Sequence, residues 1–320
     1  MDGAPNGDPS ALDPPAAGTS TVTYEADSFA RAVSDRLESE FVRCGPGDAP
    51  ARVEQAVIGD LATSFVSFGF PVASRSAAEG VVTVCRILRA PAGAKWGDTN
   101  LAAGQIRYRG PKRHHVGVNP AGTAMLGVFC DADLLRETAD LLGCVVDVDN
   151  LVGSLNASPE LDDAFDDVAD VLVRRGGGPM GDVTRLQHNL LAATVRAARL
   201  DHHRVGRSRS FVTSERIVDG CLELARSTRK WHPSTVDLCR AAGMSERRVR
   251  SAFLDVTGMP PNRYFRAAAL NQARTLLRQT RKESTTVTEV AGGLGIYHLS
   301  HFARNYSELF GESPSDTLWA

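Results

Sequence analysis

Residues 234–258 read STVDLCRAAGMSERRVRSAFLDVTG, and residues 285–311 read TTVTEVAGGLGIYHLSHFARNYSELFG. Each stretch has a short apolar-periodic segment, a glycine, a second segment with aromatic anchors, and a closing glycine. A glycine between two helices adopts the positive φ of a tight turn without a Cβ clash. The spacing therefore predicts two helix-turn-helix units in tandem. Two such units indicate a module that presents two helices to successive major grooves of one DNA duplex.

The second helix of the first unit is predicted to begin after Ser245, whose hydroxyl is suited to capping it. Apolar residues at helical spacing form the side expected to be buried. A solvated charged surface would look similar on the other side, but the cap, the turn glycine and three arginines in two turns favour contact with DNA. The residues predicted to contact DNA here are Arg247, Arg248, Arg250 and Ser251.

A connecting helix is predicted from Pro261 to Gln279, and a rigid connector would space the two recognition helices by roughly one DNA turn, ~34 Å. The outer face of the second recognition helix offers Leu299, Ser300, Ala303 and Arg304. Leu299 and Ala303 suit either thymine methyl groups or neutral spacing, whereas Arg304 suits phosphate. The sequence thus favours one base-reading helix and one that mainly holds the DNA backbone.

The region from about residue 214 to 318 resembles the DNA-binding domain of AraC/XylS-type transcriptional activators. The residues that carry the resemblance are L-C-R-A-A-G-M-S in the first unit, F-x-x-x-x-G-x-x-P-x-x-Y from Phe253, L-N-Q-A-R-x-L-L at 270–277, V-T-E-V-A-x-x-L-G in the second unit, and F-x-x-x-Y-x-x-x-F-G-x-x-P from Phe302. The resemblance implies that both helices dock along one face of DNA. It also implies an upstream sensor or dimerisation domain.

Carried over by position, the resemblance gives the base-contacting candidates Arg247, Arg250, Ser251, Leu299, Ser300, Ala303 and Arg304. The chain departs from the family pattern at Ala269, where the connector commonly has arginine. It departs again at His298, where serine or aspartate usually caps the helix, and at Leu299, where a polar side chain is frequent.

The sequence of the first half of the chain indicates a different architecture. Between residues 51 and 130, short β-branched or aromatic runs alternate with glycine, proline and asparagine turns, which indicates an antiparallel barrel or sandwich. Three amphipathic helices are predicted between residues 131 and 200, and they either pack on the sheet or form a dimer seam. A further amphipathic helix is predicted at 27–43. The fold class is therefore α+β, with an N-terminal antiparallel cupin-like barrel or sandwich and packed helices, followed by an all-α domain with two helix-turn-helix units.

Composition shifts suggest domain boundaries. Residues 1–24 are predicted to be a disordered tail, 25–204 a regulatory or dimerisation domain, 205–213 a linker, and 214–320 the double helix-turn-helix domain. The net charge of −2 is unevenly distributed, because residues 211–320 carry 15 basic and 11 acidic side chains. A basic C-terminal module on an acidic body fits binding of nucleic acid by that module.

Neither catalysis nor metal binding is indicated by the sequence. It lacks a nucleophile elbow, a phosphate loop and an H-E-x-x-H pattern, so no catalytic residue, cofactor or metal is predicted. His114 and His115 are adjacent, which on a strand points them to opposite faces, so a surface or strand-edge role is expected. Lys112, Arg107 and Arg109 would suit an anionic effector, but solvated charge is the favoured interpretation.

The six scattered cysteines are expected to be reduced. No apolar run long enough for a membrane span and no signal peptide is apparent, which predicts a cytoplasmic protein without a membrane partner. The function predicted is a sequence-specific, DNA-binding transcriptional regulator, with double-stranded operator DNA as partner, a homodimeric state, a possible small-molecule effector, and RNA polymerase if it is an activator. Three alternatives stay open: a non-specific or architectural DNA-binding protein, an effector-modifying enzyme that carries a DNA-binding tail, and a regulator controlled by a protein partner.

Overall fold

The computed structural model describes residues 20–24, 38–47, 49–77, 79–111, 114–149, 152–155, 158–173, 183–200, 208–228, 231–279 and 285–319. Two antiparallel sheets lie face to face in the N-terminal half. Three helices cover the outer face of one sheet, and a helical module covers the outer face of the other. This is the α+β arrangement that the sequence predicts, with a sandwich rather than a closed barrel.

The larger sheet has seven strands in the order β1-β3-β4-β11-β6-β9-β12. Its neighbours pair antiparallel, as in the register of Val53 with Val66 between β3 and β4. The strands are β1 (Ser20–Tyr24), β3 (Ala51–Ile58), β4 (Leu61–Ser67), β6 (Val81–Arg89), β9 (Ile106–Arg109), β11 (Ala124–Asp131) and β12 (Val152–Leu155).

The smaller sheet has five strands in the order β2-β5-β10-β7-β8. Its central strand β10 pairs with β5 on one side and with β7 on the other. The strands are β2 (Glu38–Arg43), β5 (Val72–Ala77), β7 (Lys95–Trp96), β8 (Thr99–Asn100) and β10 (His115–Asn119).

Three helices complete the N-terminal half: α1 (Ala132–Leu141), α2 (Pro159–Val173) and α3 (Val183–Leu200). Successive side chains of a strand point to opposite faces, so β11 contributes side chains to both faces of the seven-stranded sheet. Leu126, Val128 and Cys130 pack in the core shared with these helices, whereas Met125, Gly127 and Phe129 face the space between the two sheets. The helices therefore pack on the sheet, which was one of the two arrangements that the sequence left open.

The C-terminal module is all helical. Its lead helix is α4 (Arg209–Thr228), followed by α5 (Thr235–Ala242), α6 (Glu246–Thr257), α7 (Pro261–Gln279), α8 (Val287–Gly293), α9 (Leu299–Phe310) and α10 (Pro314–Trp319). The pairs α5–α6 and α8–α9 are the two predicted helix-turn-helix units. The connector α7 begins and ends at the residues that the sequence predicts.

The structure corrects several local predictions. Residues 38–43 form strand β2 and not the end of an amphipathic helix, and the rest of that predicted helix lies outside the described residues. Residues 20–24, assigned to a disordered tail, form β1 against β3. The predicted linker at 205–213 overlaps α4, which already begins at Arg209. Strand β12 was not predicted, because four residues between two helices give too short a pattern.

Candidate nucleic-acid interface

The first unit begins with a complete capping box. The Ser234 hydroxyl accepts from the backbone N–H of Asp237, and the Asp237 carboxylate accepts in return from the backbone N–H of Ser234. This reciprocal pair satisfies two of the free N–H groups at the start of α5. Helix α5 ends at Gly243, whose φ of 62° is the left-handed conformation that a glycine adopts at little cost. Ser245 precedes α6 as predicted, but its hydroxyl makes no capping hydrogen bond.

Helix α6 buries the apolar face that the sequence predicts. Phe253 is fully buried and packs against Tyr264 and Phe265 of the connector, with ring centroids 5.7 and 5.5 Å away. On the other side, Arg247 and Arg250 are exposed and Ser251 is partly exposed.

Arg248 is the exception among the predicted DNA contacts of α6. Its guanidinium donates to the Ser210 carbonyl at 3.4 Å and to the Ser214 hydroxyl at 3.2 Å. Ser214 donates in turn to Asp255 at 3.0 Å. Arg248 therefore joins α6 to the lead helix α4, and its guanidinium lies against α4.

The connector α7 contributes to the cores of both units. Tyr264 and Phe265 lie in the core of the first unit, and Ala273 and Leu277 lie in the core of the second. The buried Arg274 stacks over Phe310, 4.4 Å from the ring centroid, and its guanidinium is 2.9 Å from a Glu312 carboxylate oxygen. Because one continuous helix is packed into both cores, the two units are held at a fixed spacing.

The second unit repeats the capping box with Thr286 and Glu289. The backbone N–H of Thr286 donates to Glu289 and, with its hydroxyl, lowers the pKa of that carboxyl below its ordinary value. Gly295, with φ of 77°, makes the turn. His298 occupies the N-cap position of α9 without a side-chain capping bond, as its residue type suggests.

Helix α9 buries Phe302 and Tyr306, and the Tyr306 hydroxyl donates to Thr317 at 2.8 Å. All four predicted contact residues of this helix, Leu299, Ser300, Ala303 and Arg304, are exposed. Two more residues of this unit are exposed but were not predicted from the sequence, Tyr297 (81% exposed) and His301. The helical period would have found His301, since it lies one turn before Arg304.

The five-stranded sheet lies between the module and the cavity, and strands β2, β5 and β10 each have one face toward the module and one toward the cavity. The residues that face the module are Glu40, Val42, Ala73, Arg75, Val116 and Val118. The alternate residues Phe41, Ser74, Ser76, His115 and Asn119 line the cavity between the sheets. The period of two along a strand thus places one set of strands in contact with both regions.

Specific polar contacts fix the module on this sheet. Arg226 is 2.5 Å from Glu40, and Arg75 is ion-paired with Asp219. The Asn271 side chain accepts from the backbone N–H of Arg43 at 3.1 Å and donates to its carbonyl at 3.0 Å. Because β2 is an edge strand, Asn271 satisfies backbone groups that no neighbouring strand would pair.

The cavity between the sheets has a volume of about 70 Å³ and opens to solvent. Its walls are mostly apolar, with Phe68, Trp96 and Met125 among them, and polar side chains are interspersed. Burial raises the pKa of the Cys85 thiol in this wall to about 12, although the charge of Arg109 opposes the shift.

Arg107 and Arg109 were predicted to be solvated, but the structure buries both. Arg107 and Arg109 are each 2% exposed, and their guanidiniums donate to Ser154 at 2.5 Å and to Thr83 at 2.7 Å. His115 is not at a sheet edge either: it lines the cavity with its ring centroid 4.0 Å from that of Trp96. His114 is exposed, and Lys112 lies outside the described residues. The prediction failed because each strand of a layered sheet is covered on both faces.

The described ranges contain no group of three or more His, Cys, Asp or Glu side chains placed to hold a metal ion. None of the helices described is both long and apolar enough to cross a lipid bilayer. All six cysteines are free thiols, and four of them are buried.

The fold and the paired units define a protein with a double helix-turn-helix module. A family profile described as "Helix-turn-helix domain" matches residues 238–319. The XylDLEGF operon transcriptional activator 2 of Pseudomonas putida is 33% identical over 110 residues, which cover 34% of this chain and 70% of that protein. The chain belongs to the AraC/XylS family.

Other relatives match over shorter parts. The XylDLEGF operon transcriptional activator of Pseudomonas putida is 38% identical over 81 residues, which span 25% of each protein. The chain therefore aligns with about a quarter of that relative's length. The crystal structure of the AraC-like transcriptional activator CuxR overlaps 81% of this chain and 95% of its own, at 15% identity and a TM-score of 0.43.

Proposed function

We propose that this protein is a sequence-specific DNA-binding regulator of transcription that acts in the cytoplasm. The observation that carries the proposal is the exposure of both recognition helices, α6 and α9, on units that one buried connector holds together. Arginines and helix N-termini would set the register on phosphates, and α6 would read base edges. The partners proposed are operator DNA, a second copy of the chain and, for an activator, RNA polymerase.

The test is the double substitution Arg247→Ala and Arg250→Ala. Both side chains are exposed on the outer part of α6, so the fold should be intact. Affinity for a DNA duplex that the wild-type protein has selected from a random pool should fall at least about tenfold. The matched control is Arg196→Ala with Arg199→Ala on α3, which removes the same charge from exposed positions far from the module. Binding is measured by fluorescence anisotropy at fixed salt.

Two results would contradict the proposal. Unchanged affinity in the double variant would remove Arg247 and Arg250 as readers. Binding by the wild-type protein that follows salt concentration and hardly changes with DNA sequence would favour an architectural protein, because phosphate contacts alone carry no sequence information.

The regulatory half of the proposal concerns the cavity between the sheets. Concave, mostly apolar sites with a few polar groups are typical of small-ligand binding. We propose that the cavity takes a small, largely apolar effector with a hydrogen-bond acceptor, because Arg109, Asn119 and hydroxyl groups lie among its lining residues. Strands β2, β5 and β10 would transmit its occupancy, since their other face contacts the module.

Ser64→Phe tests the effector site. Ser64 is 3% exposed and lines the cavity from the seven-stranded sheet, so a phenyl ring there fills the space without altering the strands that dock the module. Small molecules that raise the unfolding midpoint of the wild-type protein by binding its folded state should lose that effect in Ser64→Phe. They should keep it in Ser64→Ala, the matched control. Molecules that stabilise all three proteins equally bind elsewhere and would contradict the assignment.

A further inference from the structure

The outward face of α9 is centred on Arg304. This residue lies two positions after the buried Phe302 and two before the buried Tyr306, so at about 100° per residue it points away from both. Ala303 is adjacent to Phe302, and Leu299 lies about 60° from it, so both flank the buried stripe. Arg304 has 64% of its side chain exposed, whereas Leu299 is only 38% exposed.

His301 lies beside Arg304 on this face. A guanidinium nitrogen of Arg304 is 3.2 Å from Nδ1 of His301, and the two residues are i,i+3 neighbours on the helix. An arginine only donates hydrogen bonds, so Nδ1 accepts and the ring proton lies on Nε2. The pair therefore presents the Nε2–H group and the remaining guanidinium N–H groups side by side, as adjacent donors.

The Arg304 side chain has a polar neighbour on each side along α9. His301 contacts it on the N-terminal side, and its Nε lies 3.9 Å from a Glu308 carboxylate oxygen on the C-terminal side. A contact with phosphate requires charge and reach but little fixed orientation. A contact with a base edge requires a preferred direction of the donors, and the hydrogen bond with His301 favours one direction of this otherwise flexible side chain.

We propose that His301 and Arg304 together read a guanine in the major groove. Guanine presents two adjacent acceptors there, N7 and O6, whereas adenine and cytosine each present an amino donor that would oppose these groups. The inference rests on the proposed function and makes α9 a second base-reading helix. The position equivalent to His301 in the first unit is Arg248, which contacts the lead helix instead, so the two helices read DNA with different side chains.

The experiment begins with selection of duplexes from a random pool by the full-length protein. Affinities are then measured for the selected site and for sites in which each guanine of the second half-site is replaced by another base or by 7-deazaguanine, which lacks N7. For the wild-type protein, one of these replacements should lower affinity about 5- to 150-fold. In His301→Ala and Arg304→Ala, the same replacement should have little further effect.

Arg304→Lys separates base reading from phosphate contact. Lysine keeps the charge but lacks the planar fork, so discrimination at that guanine should fall while overall affinity largely persists. Ser307→Ala, exposed on the same helix, is the control and should discriminate as the wild type does.

The outcomes distinguish the inference from the proposed function. Discrimination that persists in His301→Ala and Arg304→Ala, or is equal in Arg304→Lys and the wild type, overturns the inference alone. Affinity that falls equally for every base pair in the variants also overturns it, in favour of a phosphate contact. A wild-type protein that enriches no sequence refutes the proposed function and the inference together.

Discussion

At the scale of single residues, arginines of similar sequence context lie in different surroundings in this protein. Arg247, Arg248 and Arg250 lie within one turn of α6, yet only Arg248 bonds to the lead helix. Its partners Ser210 and Ser214 are more than 30 positions away along the chain. A helical period gives the direction of a side chain but not what a distant helix places in that direction, so sequence alone could not separate Arg248 from its neighbours.

Replacing Arg248 with alanine should therefore affect stability more than DNA recognition. Loss of the contacts with Ser210 and Ser214 is expected to lower the free energy of unfolding by about 1 kcal/mol, as measured by urea denaturation. Base preference in a selection experiment should stay as in the wild type, whereas Arg247→Ala, the comparison variant, should change preference and leave stability unaltered. A changed base preference with unaltered stability in Arg248→Ala would assign this arginine to DNA.

At the scale of elements, helices with strong local signals were predicted accurately. The connector α7 begins at the second residue of a proline pair and runs from Pro261 to Gln279 as predicted, because proline suits the first helical position. The turn glycines Gly243 and Gly295 likewise marked where α5 and α8 give way to the second helix of each unit. Each of these signals depends on a few adjacent residues, and the packing of the module does not override it.

Strand β2 shows where local signals fail. Phe41 was assigned to a helix from apolar residues at spacings of four, a spacing that also keeps residues on one face of a strand. Its neighbour Val42 packs against the module, while Phe41 lines the cavity, so both faces of the strand are covered. A strand covered on both faces loses the polar alternation that distinguishes strands. The cavity itself was beyond prediction, because its lining comes from strands of both sheets.

At the scale of the whole molecule, the layers form a continuous stack. Helices α1–α3, the seven-stranded sheet, the cavity, the five-stranded sheet and the DNA-binding module follow one another, and strands β2, β5 and β10 of the smaller sheet contact both the cavity and the module. Val118 of β10 lies so close to the module that a Cβ on Gly258 would be 3.1 Å from its methyl group. In such close packing, a change of shape at the cavity wall is expected to reach the module through the same strands.

Asn271 is the residue on which this docking can be tested. Asn271→Ala removes both hydrogen bonds to the Arg43 backbone and should lower the free energy of unfolding by about 1–3 kcal/mol. Hydrogen exchange at the Arg43 amide should become faster, because the edge of β2 then faces the module without a partner side chain. Asn305→Ala on α9 is the control, since Asn305 is a partly exposed asparagine in the second unit and its loss should leave exchange at Arg43 unchanged. Equal exchange rates at Arg43 in the two variants would show that Asn271 does not hold the sheet to the module. The route from cavity to DNA would then depend on the apolar contacts of Val42, Ala73 and Val116 and on the two ion pairs, Arg226–Glu40 and Arg75–Asp219.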